Sequence, residues 1–250
     1  MTAAPIVPAR LPAHAAAMLG RLRMDGPRVH CLMNSVVQGL VADGLSALGA
    51  IPSMTSSPGE VPHFARKADV LSVNLGTLDD QRRVAIGLAL DVAEARAIPW
   101  VLDPAHCDYS PPRLALAQEL LSRGPSAVRA NEAEFAVLEV PMGVANIRTG
   151  RTDRIALAGQ ALVVGNGDPL MARVTGTGCL SAAVAAAFLA VDDDRLAACA
   201  AAMLVMGVAA EIASDTAQGP GSFKPALLDA LHCLDAGDIL QRSKVTDEQG

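Results

Sequence analysis

The sequence predicts an α/β fold, a largely parallel sheet with helices on both faces. Three observations point there. Short β-type runs alternate with helix-length segments at the spacing of βαβ units. Hydrophobic residues are 51% of the chain and aromatic ones only 2%, a composition that suits Ala-, Leu- and Val-rich helices packed closely on a sheet. No linker, internal repeat or low-complexity tract interrupts the alternation, so residues 1–250 read as a single domain.

Each element has its own local signal. Leu11, Ala15, Met18, Leu19 and Leu22 recur at helical spacing over 12–24, and Gly26-Pro27 ends that helix. Residues 29–32 are a short apolar strand. Met33-Asn34-Ser35 opens a helix running through Leu48, with Asn34 or Ser35 as its cap and Gly49 as its stop. A strand edge follows at 51–54, a turn at Ser56-Ser57-Pro58-Gly59 and a short helix at 60–67. Then come strand 69–74, closed by Gly76-Thr77, helix 79–97, strand 99–104 and helix 112–122. Strand 127–130 leads to a helix capped by Asn131 and running through Leu138, and strand 144–148 ends at Thr149-Gly150. Residues 155–157 and 161–164 form a hairpin around Gly159. A β-type run at 171–174 meets Thr175-Gly176-Thr177-Gly178, and a small-residue helix covers 179–190, with the threonines as its caps. Asp192-Asp193-Asp194 is a solvated loop before the last helices.

Composition excludes several classes of function. The net charge of −6 argues against a nucleic-acid-binding surface. Five cysteines, an odd number without CxxC spacing, argue against a disulfide framework or zinc site and for a reducing cytoplasm. Pro5, Pro8, Arg10 and Pro12 break the apolar run that a signal peptide needs. The uncharged stretch between Arg195 and Glu211 is shorter than the ~20 apolar residues of a membrane span and reads as a buried helix. No membrane partner is expected.

In such a sheet, ligands bind beyond the carboxyl ends of the strands. Asn74 and Thr77, then Asp103, then Arg129 with Asn131 and Glu134, then Thr149 fall at those ends. Gly176-Thr177-Gly178-Cys179 starts a helix, where free N–H groups and the dipole favour an anion. Two readings of this stretch stand side by side: a phosphate cradle with a thiolate-favouring cysteine, or a capped core helix with a buried cysteine. Together the residues make a phosphoryl-transfer set. Arg129 and the amides of 176–179 would hold phosphates, Asp103 and Glu134 a metal, partly through water, and Cys179 would stand by the attacking hydroxyl. Asn131 and Glu134 also have the spacing of a capping box. His30 reads as a core or cap histidine. GxxxxGK[ST], HExxH and GxSxG are absent, and Ser181 stands where a GxGxxG pattern needs its third glycine.

From about Leu19 to Leu231 the chain resembles the hydroxyethylthiazole kinases of the ribokinase-like superfamily. The resemblance is carried by Val29-His30 with Met33-Asn34-Ser35-Val36-Val37, by Gly44-Leu45 through Leu48-Gly49-Ala50 with Pro52 and Met54, and by Leu75-Gly76-Thr77-Leu78. Leu102-Asp103-Pro104, Val128 to Glu134, Thr149-Gly150, Val174 to Cys179 and Gly219-Pro220-Gly221-Ser222-Phe223 continue it. It implies a ribokinase-like fold and ATP- and Mg²⁺-dependent phosphorylation of 4-methyl-5-(2-hydroxyethyl)thiazole, for thiamine salvage. It implies that Met54 and Gly176 contact the thiazole alcohol, with Asn34 on the same side. Arg129 and Thr149 would bind ATP, with Thr177 and Gly178 beside its phosphates. Asp103 and Glu134 would organise Mg²⁺, and Cys179 takes the place where many relatives carry an aspartate base. Trimers with sites at subunit boundaries are implied as well. The alternatives are a related vitamin-precursor kinase, such as one for hydroxymethylpyrimidine, and a non-catalytic small-molecule-binding descendant.

Three departures from the family pattern stand out. Gln38-Gly39-Leu40-Val41-Ala42-Asp43-Gly44 replaces Thr-Asn-Phe-x-Ala-Asn-Gly, and Pro104-Ala105-His106-Cys107 replaces a glycine-bearing loop. A loop and helix are missing between Glu134 and Thr149. The crossover that remains is about as short as a βαβ unit permits. Because parallel sheets need both faces buried, the bared face calls for cover by another element or a neighbouring subunit.

Overall fold

A computed structural model describes residues 6–248; Pro5, one of the residues read against a leader, lies outside them. The strands are β1 (Arg28–Leu32), β2 (Ile51–Ser53), β3 (Val70–Asn74), β4 (Trp100–Asp103), β5 (Ala127–Asn131), β6 (Ala145–Thr149), β7 (Asp153–Leu157), β8 (Gln160–Val164) and β9 (Val245–Asp247). They form one sheet in the order β2-β1-β3-β4-β5-β6-β7-β8-β9. Pairing is parallel from β2 to β6 and antiparallel from β6 to β9.

The helices are α1 (Leu11–Asp25), α2 (Gln38–Leu48), α3 (Val61–Ala65), α4 (Asp80–Arg96), α5 (Pro111–Ser122), α6 (Glu132–Phe135), α7 (Thr177–Leu189), α8 (Arg195–Thr216), α9 (Pro220–Cys233) and α10 (Ala236–Arg242). Successive strand residues face opposite ways, and the core divides accordingly. Val29, Cys31, Val70, Val101 and Ala127 pack against α1, α2, α7, α8 and α9. Leu71, Val73, Trp100, Leu102 and Val128 pack against α3, α4 and α5. By length and composition α8 is apolar enough to cross a membrane, yet 89% of its apolar window is buried inside the fold, as a core helix requires. The five cysteines are free thiols.

Several local expectations change. Neither Asn34 nor Ser35 caps α2: the helix starts later, and its N-cap, Val37, makes no side-chain bond. Asn34 is buried and spends its amide on Asn74 instead. Residues 171–174 are not a strand. Pro169 starts a 3₁₀ helix over Pro169–Arg173, with Asp168 accepting from the Leu170 N–H at 2.8 Å; its ring presets a helical φ. The threonines do not cap α7. Gly176 is the N-cap, in the left-handed region at φ 98°, and the Thr177 hydroxyl donates backwards to the carbonyls of Met171 and Val174. The helix after Asn131 stops at Phe135, short of Leu138, although the Asn131–Glu134 capping box forms as its spacing predicts.

The short crossover also meets a different solution from the one expected. Ile147, Ile155, Leu162 and Val164 turn inward to the α8 layer and are buried. On the other face Arg148, Arg154, Ala156 and Val163 are half-exposed. That face is dressed by the sheet's own charges: Arg154 pairs with Glu248 at 2.6 Å, and Arg148 pairs with Glu132 at 3.2 Å and lies 5.2 Å over the Phe135 ring. The sheet is antiparallel here, and antiparallel strands tolerate one wet face. A covering subunit is therefore not required.

Candidate functional site

The carboxyl ends of β1, β3, β4, β5 and β6 meet the N-terminus of α7, and the nominated polar residues fall into two groups around it. The first surrounds Cys179. The Asn74 amide nitrogen donates to Cys179 Sγ at 3.3 Å and to Asp103 Oδ2 at 2.6 Å. Asn74 Oδ1 in turn accepts from Asn34 Nδ2 and from the Gly76 N–H, both at 2.9 Å. The expectation of a thiolate is reversed here. Burial pushes the Cys179 thiol up, and the charge and hydrogen bond of Asp103 push the same way. A helix dipole supplies only about half an elementary charge, which burial beside a carboxylate outweighs. Burial also raises Asp103, a rise that the nearby Arg129 charge opposes.

The loop after β4 links Asp103 to Glu134. The Ala105 N–H donates to Asp103 Oδ1 at 3.2 Å and the His106 N–H to Glu134 Oε1 at 2.7 Å, while Glu134 Oε2 accepts from the Asn131 N–H at 2.8 Å. Ala105 and His106 both have positive φ, 33° and 61°, and this turn aims their two N–H groups at the carboxylates. Both carboxylates keep free lone pairs and are hard oxygen donors of the kind that suits Mg²⁺. His106 and Asp108 also bring possible ligand atoms within 4.8 Å of Glu134 and of each other.

The second group lines a cleft of about 690 Å³ that includes Arg129, Thr149, Asp153, Thr177 and Gly178. Arg129 donates to Thr149 Oγ1 at 2.7 Å. It lies directly on the first turn of α7: a Cβ on Gly178 would come within 2.7–2.9 Å of the guanidinium atoms. A side chain at this position would have to displace the guanidinium. The rest of the cleft is lined by Pro169, Met171, Met203 and Met206 among others. Asn166 also lines it, but its amide is fully engaged, donating to Glu211 and the Arg242 carbonyl and accepting from the Lys244 N–H.

Gly176 backs onto α2, where a Cβ would meet Val37 at 2.6 Å. Met54 stands apart from both groups. It follows the edge strand β2, one strand outward from the end of β1, and is partly buried. His30 is a core histidine, as read. It is buried, its Nδ1 shares a hydrogen bond with Ser53 Oγ at 2.8 Å, and burial pushes its pKa down to about 4.

Sequence reasoning missed two contributors, Arg82 and Asp153, and left the part of a third, Asn74, undefined. Asn74 was visible only as one more polar strand end. Arg82, in the first turn of α4, matches no motif. Asp153, which burial pushes up to about 6, carries no motif at all.

The profile of the hydroxyethylthiazole kinase family matches residues 19–145 and 137–237, two pieces that overlap across the short crossover. A protein of Agrobacterium fabrum described as a probable hydroxyethylthiazole kinase is 50% identical over 238 residues, covering 95% of this chain and 97% of that one. The solved hydroxyethylthiazole kinase protein of Pyrococcus horikoshii OT3 superposes with a TM-score of 0.91 at 33% identity, over 94% of this chain and 99% of its own. A ribokinase-like superfamily protein of Enterococcus faecalis V583, 16% identical, shares the fold alone, with a TM-score of 0.52 over 84% of this chain and 88% of that one.

Proposed function

The chain belongs to the hydroxyethylthiazole kinase family, a premise from which we infer that its site transfers the γ-phosphoryl group of ATP to the primary alcohol of 4-methyl-5-(2-hydroxyethyl)thiazole, a step of thiamine salvage. The observation that carries this reading is the meeting at the start of α7 of an arginine-lined cleft and the Asn34–Asn74–Cys179–Asp103 network.

On this reading Arg129, Thr149, Thr177 and Gly178 bind the nucleotide phosphates, with the first amides of α7 turned to the transferring group. Asp103 and Glu134 would hold Mg²⁺, partly through water; when bound, it neutralises charge on the phosphates. Asn34, Met54 and Gly176 would form the acceptor side. Cys179 would touch the attacking hydroxyl. Phosphoryl transfer has a loose transition state that leaves little covalent chemistry to the protein, so a thiol that is protonated at rest contributes mainly by orienting the alcohol. Met54 follows an edge strand, and exposed Val36 and Ile51 lie near the same edge. This placement supports a homotrimer in which a neighbour completes the acceptor pocket. We read the protein as cytoplasmic, in keeping with its free thiols.

With Mg-ATP and hydroxyethylthiazole the protein is expected to form ADP and a phosphate monoester, measured by coupled assay and phosphorus NMR. A panel of pyrimidine alcohols run alongside tests the nearest rival substrate. Product no higher than a no-enzyme control with every alcohol would refute the kinase reading.

The cleft also sets an expectation for the base. It holds flexible thioethers, and Asn166, a carboxamide beside them, is already fully engaged. The loop and helix that the family would add beside the nucleotide are missing. KM for ATP should lie high within the usual range of about 1 μM to 1 mM, and GTP, CTP and UTP should support comparable turnover. Low-micromolar KM with strong preference for ATP would mean that the missing segment has no bearing on base recognition.

A further inference from the structure

Arg82 sits in the first turn of α4, its own N–H donating to the cap Asp79 at 2.7 Å. Its side chain is almost wholly buried. A cation is costly there twice over. The helix N-terminus is already the positive end of the dipole, and burial removes the guanidinium from water. Among the described residues no carboxylate pairs with it within 4.0 Å.

What it has instead is three backbone carbonyls. Arg82 donates to Gly76, to Leu32 at 3.2 Å and to Asn74 at 2.6 Å. Leu32 ends β1 and Asn74 ends β3. The two strands are already paired from Val29↔Val70 to Leu32↔Val73, so the sheet does not need Arg82 to form. Its bonds fall where the chain passes from core to site. Asn34 follows Leu32 by two residues, Asn74 holds both Cys179 and Asp103, and a Cβ on Gly76 would already press on Asn74 and Asn34 at 3.0–3.1 Å.

We propose that Arg82 is a positioning residue for the reaction: by tying the carboxyl ends of β1 and β3 together it holds Asn34 and Asn74 where they enclose the Cys179 thiol and the Asp103 carboxylate. Its planar fork spans several acceptors at once, which a lysine ammonium on its flexible stem does not reproduce. The effect on turnover rests on the function proposed above; the effect on the surroundings of the thiol does not.

The test uses full-length Arg82→Lys and Arg82→Met with three readouts: thermal unfolding, steady-state kinetics, and the rate of Cys179 alkylation by iodoacetamide as a function of pH, resolved by peptide mass spectrometry. Exposed Cys233 serves as the internal reference. In Arg82→Met, kcat should fall about ten-fold or more, as misplacement of a reacting geometry implies, while KM for ATP changes by less than about two-fold. Cys179 should be alkylated faster relative to Cys233 across the pH series, and Arg82→Lys should lie between Arg82→Met and wild type. A folded Arg82→Met with wild-type kcat and unchanged Cys179 alkylation would overturn the proposal. So would failure of both variants to fold, which would make Arg82 a structural residue only. If wild type itself forms no product, the kinase reading falls, and alkylation alone then decides the role of Arg82.

Discussion

Replacing Cys179 by alanine is expected to lower kcat by roughly ten-fold or more, with KM for ATP little changed. The thiol is hydrogen-bonded by Asn74 and lies beside Asp103, on the side proposed for the acceptor and outside the lining of the Arg129 cleft. Its loss should therefore remove an interaction made with the attacking alcohol, not with the nucleotide. The effect is bounded because the amides of α7 and the cations, which this substitution leaves in place, supply most of the charge stabilisation. Cys179→Asp is expected to stay active, since a carboxylate can accept the hydrogen bond of the alcohol and take its proton. It would stand beside Asp103, so its activity should decline toward low pH, as two neighbouring carboxylates share a proton. Steady-state kinetics of both variants against pH make the check. An inactive Cys179→Asp beside an unaffected Cys179→Ala would leave the cysteine a packing residue.

Gly178→Ala is expected to damage nucleotide binding nearly as much as loss of Arg129. The new methyl would meet the guanidinium at 2.7–2.9 Å, closer than real Cβ atoms come to a neighbour. Arg129 cannot retreat at no cost: it would give up its bond to Thr149. Either the guanidinium swings out of place or the first turn of α7 shifts. Both disturb the phosphate donors. KM for ATP should rise by about ten-fold or more, which corresponds to ~1.4 kcal/mol of lost binding. Arg129→Lys should reproduce the pattern, raising KM for ATP more than KM for the alcohol, because a point charge does not replace the fork. A larger effect on the alcohol than on ATP in either variant would move Arg129 to the acceptor side.

Legibility differed from element to element for physical reasons. Strands β1, β3, β4, β5 and β6 were readable because their apolar runs are bounded by glycine, proline and polar residues. The capping box at Asn131–Glu134 was readable because both partners lie within four residues of each other. The caps of α2 and α7 were misread because a free-standing helix would use Asn34 and Thr177 as caps, whereas here one amide turns to Asn74 and one hydroxyl to Met171. β9 escaped because it pairs across some 80 residues of chain with β8.

The sequence by itself determined the alternation that makes an α/β sheet, the polar strand-end positions proposed to bind the ligands, and the family. These depend on local periodicity, on turn residues and on short motifs, all of which a linear chain displays. Only the tertiary structure decided that the thiol is held protonated beside Asp103, that the Arg129 guanidinium lies on Gly178, that the bared sheet face carries its own ion pairs, and that Arg82 joins two strand ends. Each of these follows from groups distant in sequence brought within a few ångströms, where burial and neighbouring charge outweigh the intrinsic preferences of the residues involved.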